Sequence, residues 1–401
     1  MSTPAIAAKA YRRRVIATLM FVQVMAGLGH GVTFSMGSLL ISELLGSAWG
    51  GTALAFTMGG AALWAVPLGR VVANKGRRAS LTLGLSLGIL GAISALSGAQ
   101  LGFAPFVLLG FLLLGGEVAT NYQARFAAVD VAVGKHRGRD LSLVMWATTV
   151  GAVVGPQLIG LTEGIGAHFG LVQFAGAYLL CITVQALGIV LLQFGLRPEL
   201  QPSDVPQRQK IRVRDNAQAS FAMATVAVSH FAMIGIMSMT AVHLHHHGAG
   251  LGWIGVVISG HVGAMYALAP LFGILSDRAG ASRAIGLGVL LNVTAAAVVV
   301  IFAQSQVGVL IGLILLGFGW SATLVGGSAL LVRVTKAEER AAYQGRNDLI
   351  MNICGASGGI LAGPIVAAFG LPILAGAMGV LVLGLALLGP VWVKASLQSR
   401  P

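Results

Sequence analysis

Apolar stretches of roughly 18 or more residues recur from one end of this 401-residue chain to the other, and each is long enough to cross a hydrocarbon core of about 30 Å as a helix. In lipid every backbone N–H and C=O must be satisfied within its own segment, so a chain of this kind folds as helices that span the bilayer. The charge content agrees: 9% of the residues are charged, against about 25% in soluble domains, too few to make a wettable surface. The 57 glycines would weaken soluble helices but suit close helix packing in lipid. The spacing predicts twelve spans near 15–44, 51–71, 80–100, 103–127, 141–163, 170–195, 217–243, 251–275, 284–304, 307–332, 347–369 and 371–393. The first is too long and lacks the small-residue cleavage site of a signal peptide. Cys181 and Cys354 both fall inside apolar spans, so no disulfide framework is expected.

The expected fold class is all-α integral membrane, with twelve transmembrane helices in two pseudo-symmetric six-helix bundles. The one long polar segment runs from Arg197 to Asn216, carries Pro198, Pro202 and Pro206 among its basic residues, and reads as a linker. The expected domains are residues 1–196, a cytoplasmic linker at 197–216 and a second bundle at 217–401. Basic residues sort by loop. They precede the first span (Lys9, Arg12, Arg13, Arg14), follow the even-numbered spans (Lys75, Arg77, Arg78; Lys135, Arg137, Arg139; Arg278, Arg283), and are missing after the odd-numbered ones. The positive-inside rule then places both termini and the linker of a multi-pass protein in the cytoplasm. The formal net charge of +13 is thereby a topology signal, and nucleic acid is excluded as a partner; the surrounding partner is membrane lipid.

The halves echo each other. Gly273, Asp277, Arg278 and Gly280 after span eight match in spacing Gly69, Ala73, Asn74 and Gly76 after span two, and Gly155-Pro156 in span five matches Gly363-Pro364 in span eleven. Along essentially its whole length the chain resembles the major facilitator superfamily, whose loop signature the Gly273–Gly280 segment fits well. The first copy departs from it with Ala73 in place of an acidic residue. The resemblance implies alternating access between two bundles, with Asp277, Arg278 and, near the start of span eleven, Asp348 as gating contacts.

Polar or soft side chains in mid-span are rare and point to function. Met233 and Met237 in span seven, and His261 and Met265 in span eight, are each spaced i, i+4, which puts both members of a pair on one helix face about 6 Å apart. Two adjacent antiparallel helices would bring three thioethers and an imidazole to one depth. That soft, uncharged set suits copper and offers little to Mg²⁺, Ca²⁺ or Mn²⁺. The competing reading is packing, since methionine fills irregular core gaps and the chain has 13 of them; for His261 it is a proton carrier or a satisfied core residue. His230 falls on the face of Met233 as an auxiliary ligand, and His243, His245, His246 and His247 cluster at the end of span seven, either as a metal-collecting mouth or as an exposed polar turn.

These two motifs are similar to the paired membrane motifs of the CcoA-type copper importers, bacterial major-facilitator proteins that supply copper for assembly of cbb3-type cytochrome c oxidase. That resemblance implies Met233 and His261 as primary ligands, Met237 and Met265 as supporting ones, copper as transported substrate rather than permanently bound cofactor, and cytoplasmic thiols or a copper chaperone as recipient. Glu117 lies mid-span in span four with Asn121 and Arg125 along the same face. It is a candidate for proton coupling, or a charge neutralised by Arg125 or by another span. No G-x-x-x-x-G-K-[ST] loop is present, so neither ATP-driven transport nor an enzyme is expected. The alternative is a drug or organic-solute/proton antiporter built around Glu117.

Overall fold

The computed structural model describes residues 3–130, 137–196, 216–336 and 339–398. Lys135 and residues 197–215 of the expected linker lie outside them. The described chain is helical throughout: α1 Thr3–Leu45, α2 Thr52–Gln100, α3 Ala104–Asp130, α4 Arg137–Val154, α5 Ile159–His168, α6 Gly176–Gly195, α7 Ala217–His246, α8 Leu251–Ala267, α9 Ala269–Ala279, α10 Ala281–Phe302, α11 Gln306–Val334 and α12 Arg340–Gln398.

Among the described residues, nine helical stretches are long and apolar enough to cross a membrane. Two of them hold two crossings each. In α2 the break is Gly76, at φ 81° and ψ 174°, a conformation that costs only glycine nothing. Gly60 and Gly91 both abut α3, at Leu112 and Gly110, whereas a straight helix would hold them about 45 Å apart; the helix therefore folds back on itself. In α12 the break is Gly370, at φ 83° and ψ 167°, and Gly358 and Met378 on its two arms both reach α7 at Gly235. The remaining crossing is span five. It was expected as one helix, but α4 stops at Val154 and a tight turn of Gly155–Leu158 leads into α5, because Pro156 has no N–H to continue the ladder. Pro270 interrupts span eight in the same way, between α8 and α9. The all-α membrane fold with twelve crossings is thus accommodated.

The turns at 72–79 and 276–283, between the expected spans, are tighter than expected. Helix continues on both sides, and only Gly76 and Gly280 (φ 96°, ψ 146°) leave it. Positive-φ glycines recur in pairs about 200 residues apart, Gly46 with Gly248, Gly76 with Gly280 and Gly170 with Gly370, so the internal repeat extends to backbone conformation at the turns.

The chain divides into two compact units, 1–44 with 56–205 and 45–55 with 206–401. In the first, α1 and α4 approach backbone to backbone. A Cβ on Gly27 would stand 2.6 Å from the Thr148 carbonyl oxygen, and one on Gly31 would stand 2.8 Å from Pro156 Cδ, the small-residue seam that lipid-embedded helices use. The second unit includes the α1–α2 connection: Gly51 lies against Gly359, and Gly363 against the Ala48 carbonyl. Its centre is α11, which packs on α7, α8 and α10. Asn216 caps α7 by accepting from Ala219 N–H at 3.0 Å and ties it to α11 by donating to the Val334 carbonyl at 2.6 Å, leaving fewer orphan groups at two helix ends.

Candidate functional site

Helix α7 buries its whole middle, Met233 and Met237 included, and α8 buries His261 and Met265. Counted from the α7–α8 turn at 1.5 Å per residue, Met237 and His261 sit roughly 14 and 15 Å deep, and Met233 and Met265 roughly 20 and 21 Å deep. The four side chains thus pair off by level, Met237 with His261 and Met233 with Met265. The direct adjacency expected from sequence is not found. α7 and α8 touch each other little, and each packs chiefly on other helices, α8 on α11 and α7 on α12 and α11.

The shared surface is α11 between Leu313 and Trp320. From α8, His261 donates Nδ1–H to the Leu313 carbonyl at 2.7 Å, and the absence of a side chain at Gly317 lets the His261 backbone lie where a Cβ would stand 2.6 Å from its carbonyl oxygen. From α7, His230 accepts from the Trp320 indole N–H at 2.9 Å; the preceding residue, Ser229, accepts from Asn292 of α10 at 3.0 Å, and Val226 packs on Gly327 further along α11. Met233 and Met237 continue that stripe at helical spacing. Trp320 also stands edge-on to Tyr266, ring centres 6.3 Å apart, so one side chain touches both motif helices. Leu313, Gly317 and Trp320 were not singled out in the sequence; the indole in the Gly317–Trp320 turn was the available signal.

The imidazoles of His261 and His230 have opposite polarity. A carbonyl only accepts, so His261 carries its proton on Nδ1 and turns an Nε2 lone pair inward. That atom is buried with no hydrogen-bond partner among the described residues. An indole N–H only donates, so His230 carries its proton on Nε2, which is also buried without a partner and lies where a Cβ on Gly355 would stand 2.9 Å away. The first is the arrangement a metal-binding imidazole uses, with its second nitrogen tied to a carbonyl. The second offers a donor. An auxiliary ligand would need a lone pair at that nitrogen, where His230 has an N–H in this arrangement.

The four histidines at the C-terminal end of α7 do not gather into one chelate. His243 is buried and donates Nε2–H to the Ala303 carbonyl at 2.8 Å. His247 donates Nδ1–H to the His243 carbonyl at 2.8 Å, with the rings 4.1 Å apart. His246 is exposed and His245 partly so. Among the described residues no three His, Cys, Asp or Glu side chains gather in a metal-holding group, because successive positions on a helix turn through about 100°.

In the first unit Glu117 is 1% exposed and Gln185, on α6, fully buried. Both flank Gly88, where a Cβ would stand 3.3 Å from Glu117 Cβ and 3.5 Å from the Gln185 amide. The sequence pointed to Arg125 or to another span as Glu117's partner. The Arg125 side chain lies outside the described residues, and the side chain that arrives is Gln185, a polar residue in an apolar span that went unnoticed. Asp277 and Arg278 are exposed at the end of α9 and Asp348 is half-buried on α12; the Asp348 carbonyl accepts from Asn352 at 2.8 Å.

Residues 219–400 match the Major Facilitator Superfamily family model. The chain is 35% identical over 377 residues to the uncharacterized MFS-type transporter YdeG of Bacillus subtilis (strain 168), covering 90% of this chain and 87% of that one. It is 27% identical over 346 residues to the riboflavin transporter RfnT of Brucella anthropi, covering 84% and 85%. Among solved structures it is similar to a bacterial homolog of the human lysosomal transporter Spinster, inward-facing and unoccupied, with a TM-score of 0.79 at 17% identity over 100% of this chain and 99% of that one.

Proposed function

This chain belongs to the major facilitator superfamily, and on that premise we propose that it is a copper importer of the bacterial cytoplasmic membrane. The observation that carries the reading is His261: a buried imidazole with its proton committed to the Leu313 carbonyl and its Nε2 lone pair unpartnered, about as far from the α7–α8 turn as the buried thioether of Met237, with Met233 one helical turn further on. A lone pair held in that way costs desolvation energy and receives no hydrogen bond in return, and a soft metal ion would supply the missing partner. Met233 and His261 are the primary ligands in this reading, with Met237 and Met265 supporting them and Trp320 holding α7 and α8 in register.

Both termini face the cytoplasm, as the loop charges require. Copper is taken from the outside by alternating access, released to cytoplasmic thiols or a chaperone, and used for assembly of cbb3-type oxidase. The outer histidines are not needed as a chelate; His246 and His247 at most raise the local copper concentration. The test is radioactive copper uptake by cells producing wild type, Met233→Ala or His261→Ala at matched membrane abundance. Uptake by wild type that either variant loses supports the reading, and equal behaviour of all three with empty cells sinks it.

A second reading rests on the riboflavin-transporting relative: import or export of a planar organic solute, with the Trp320–Tyr266 pair as a stacking surface. Riboflavin uptake measured in the same cells separates the two, because His261→Ala abolishes only copper uptake in the first reading.

A further inference from the structure

The first unit contains a second group of buried polar side chains that copper binding does not use. On α6, Tyr178, Cys181 and Gln185 recur at i, i+3 and i+7, which places them on one face, and all three are fully buried. Against this face, α3 presents Glu117. Both carboxyl oxygens of Glu117, both amide atoms of Gln185 and the Tyr178 hydroxyl are buried without a hydrogen-bond partner among the described residues. Buried side chains with unspent hydrogen-bonding capacity are rare in a folded interior, and two of these, Glu117 and Gln185, stand together over Gly88. They occur here because α2 makes room: Gly88 lies under Glu117 and Gln185, Gly84 receives Thr120, and Gly116 is packed by Leu87.

The groups that face Glu117 set its chemistry. From α6 they are Gln185 and the Cys181 thiol, with the Tyr178 hydroxyl next beyond and Glu163 near Tyr178. From α2 it is Gly88, and α1 backs Cys181 with Gly29. Glu163 is engaged in accepting from the N–H groups of Phe174 at 2.8 Å and Gly176 at 3.2 Å. No basic side chain stands against Glu117 among the described residues. An ionised carboxylate is costly to bury in such an apolar place, whereas a carboxylic acid has an O–H to give to the Gln185 amide oxygen and a carbonyl to receive its N–H.

We propose that Glu117 and Gln185 form a reversible proton-binding site inside the first unit, with Glu117 carrying the proton and Gln185 as the positioning residue that holds the protonated carboxyl. The step balances with water alone: a hydronium ion gives its proton to a Glu117 carboxylate oxygen and leaves as water, and the reverse returns the proton when the site is wetted. Access of water to the pair therefore gates the exchange, and in transport the proton site couples copper movement to a pH gradient; that coupling rests on the copper reading, the site itself does not.

The experiment uses purified full-length protein in lipid vesicles. Infrared difference spectra between acidic and alkaline buffer read the C=O stretch of protonated carboxyl groups. The expected result is a component that disappears in Glu117→Gln, shifts in frequency in Gln185→Leu, and stays in Asp348→Asn. A spectrum that Glu117→Gln leaves unchanged overturns the proposal. If that variant fails to fold, an unshifted spectrum in Gln185→Leu overturns it and a shifted one supports it. The same vesicles are then given copper with an imposed pH gradient: wild-type uptake responds to the gradient and Glu117→Gln loses the response. A wild type that takes up no copper sinks the copper reading and leaves the infrared result to decide the proton site.

Discussion

Trp320 donates its indole N–H to Nδ1 of His230 across 2.9 Å, and this bond sets the hydrogen-bonding character of the other ring nitrogen. Replacing Trp320 by Phe keeps most of the ring packing against Tyr266 and removes the donor, leaving a buried nitrogen unsatisfied at a cost of about 1–3 kcal/mol. Trp320→Phe is expected to melt at lower temperature than wild type in detergent. Pairing it with His230→Leu, which removes the orphaned nitrogen, is expected to restore part of that loss, and a double-variant cycle in melting temperature checks it.

Thioether chemistry separates from packing at Met233. Leucine at this position nearly conserves volume and should cost less than about 1.5 kcal/mol, whereas alanine leaves a cavity costing about 2–5 kcal/mol. Met233→Leu is expected to reach the membrane at wild-type abundance and still lose copper uptake. Wild-type uptake by Met233→Leu would mean that the residue only fills space.

Gly317 has no room for a side chain, since a Cβ there would stand 2.6 Å from the His261 carbonyl oxygen and 2.9 Å from Ala264 Cβ. Gly317→Ala forces α8 away from α11, at a cost of about 1–3 kcal/mol if the helices yield. It also pulls His261 Nδ1 from the Leu313 carbonyl. The expected outcome is reduced copper uptake beyond any fall in abundance, read from uptake normalised to membrane protein.

At the C-terminal end of α7 the histidines divide. His243→Ala removes a buried bond to the Ala303 carbonyl and is expected to destabilise by about 1 kcal/mol, visible as a lower melting temperature. His246→Ala and His247→Ala are expected to leave saturating copper uptake unchanged and to affect only uptake at low copper. Loss of saturating uptake in His246→Ala would overturn the division.

The sequence by itself determined the membrane-spanning helical class, the number of crossings, the repeat and its turn glycines, because these follow from local quantities: the length of apolar runs, the charges between them, and the residues a backbone needs where it leaves a helix. It also singled out Met233, Met237, His261, Met265 and Glu117, since a polar or soft side chain in mid-span stands out against its neighbours. The tertiary structure alone decided what those side chains meet. Spacing along α7 and α8 put the two motifs at one depth, but packing interposed α11, a helix 52 residues further on at the His261–Leu313 bond. Equally, nothing local distinguishes His230 from His261; their opposite polarity comes from a Trp320 indole on one and a Leu313 carbonyl on the other. Glu117 meets Gln185 for the same reason, across a gap that exists only because Gly88 lies beneath both. A hydrogen bond and a close approach depend on distances between helices, and a pattern along one chain carries no information about those until the helices are packed.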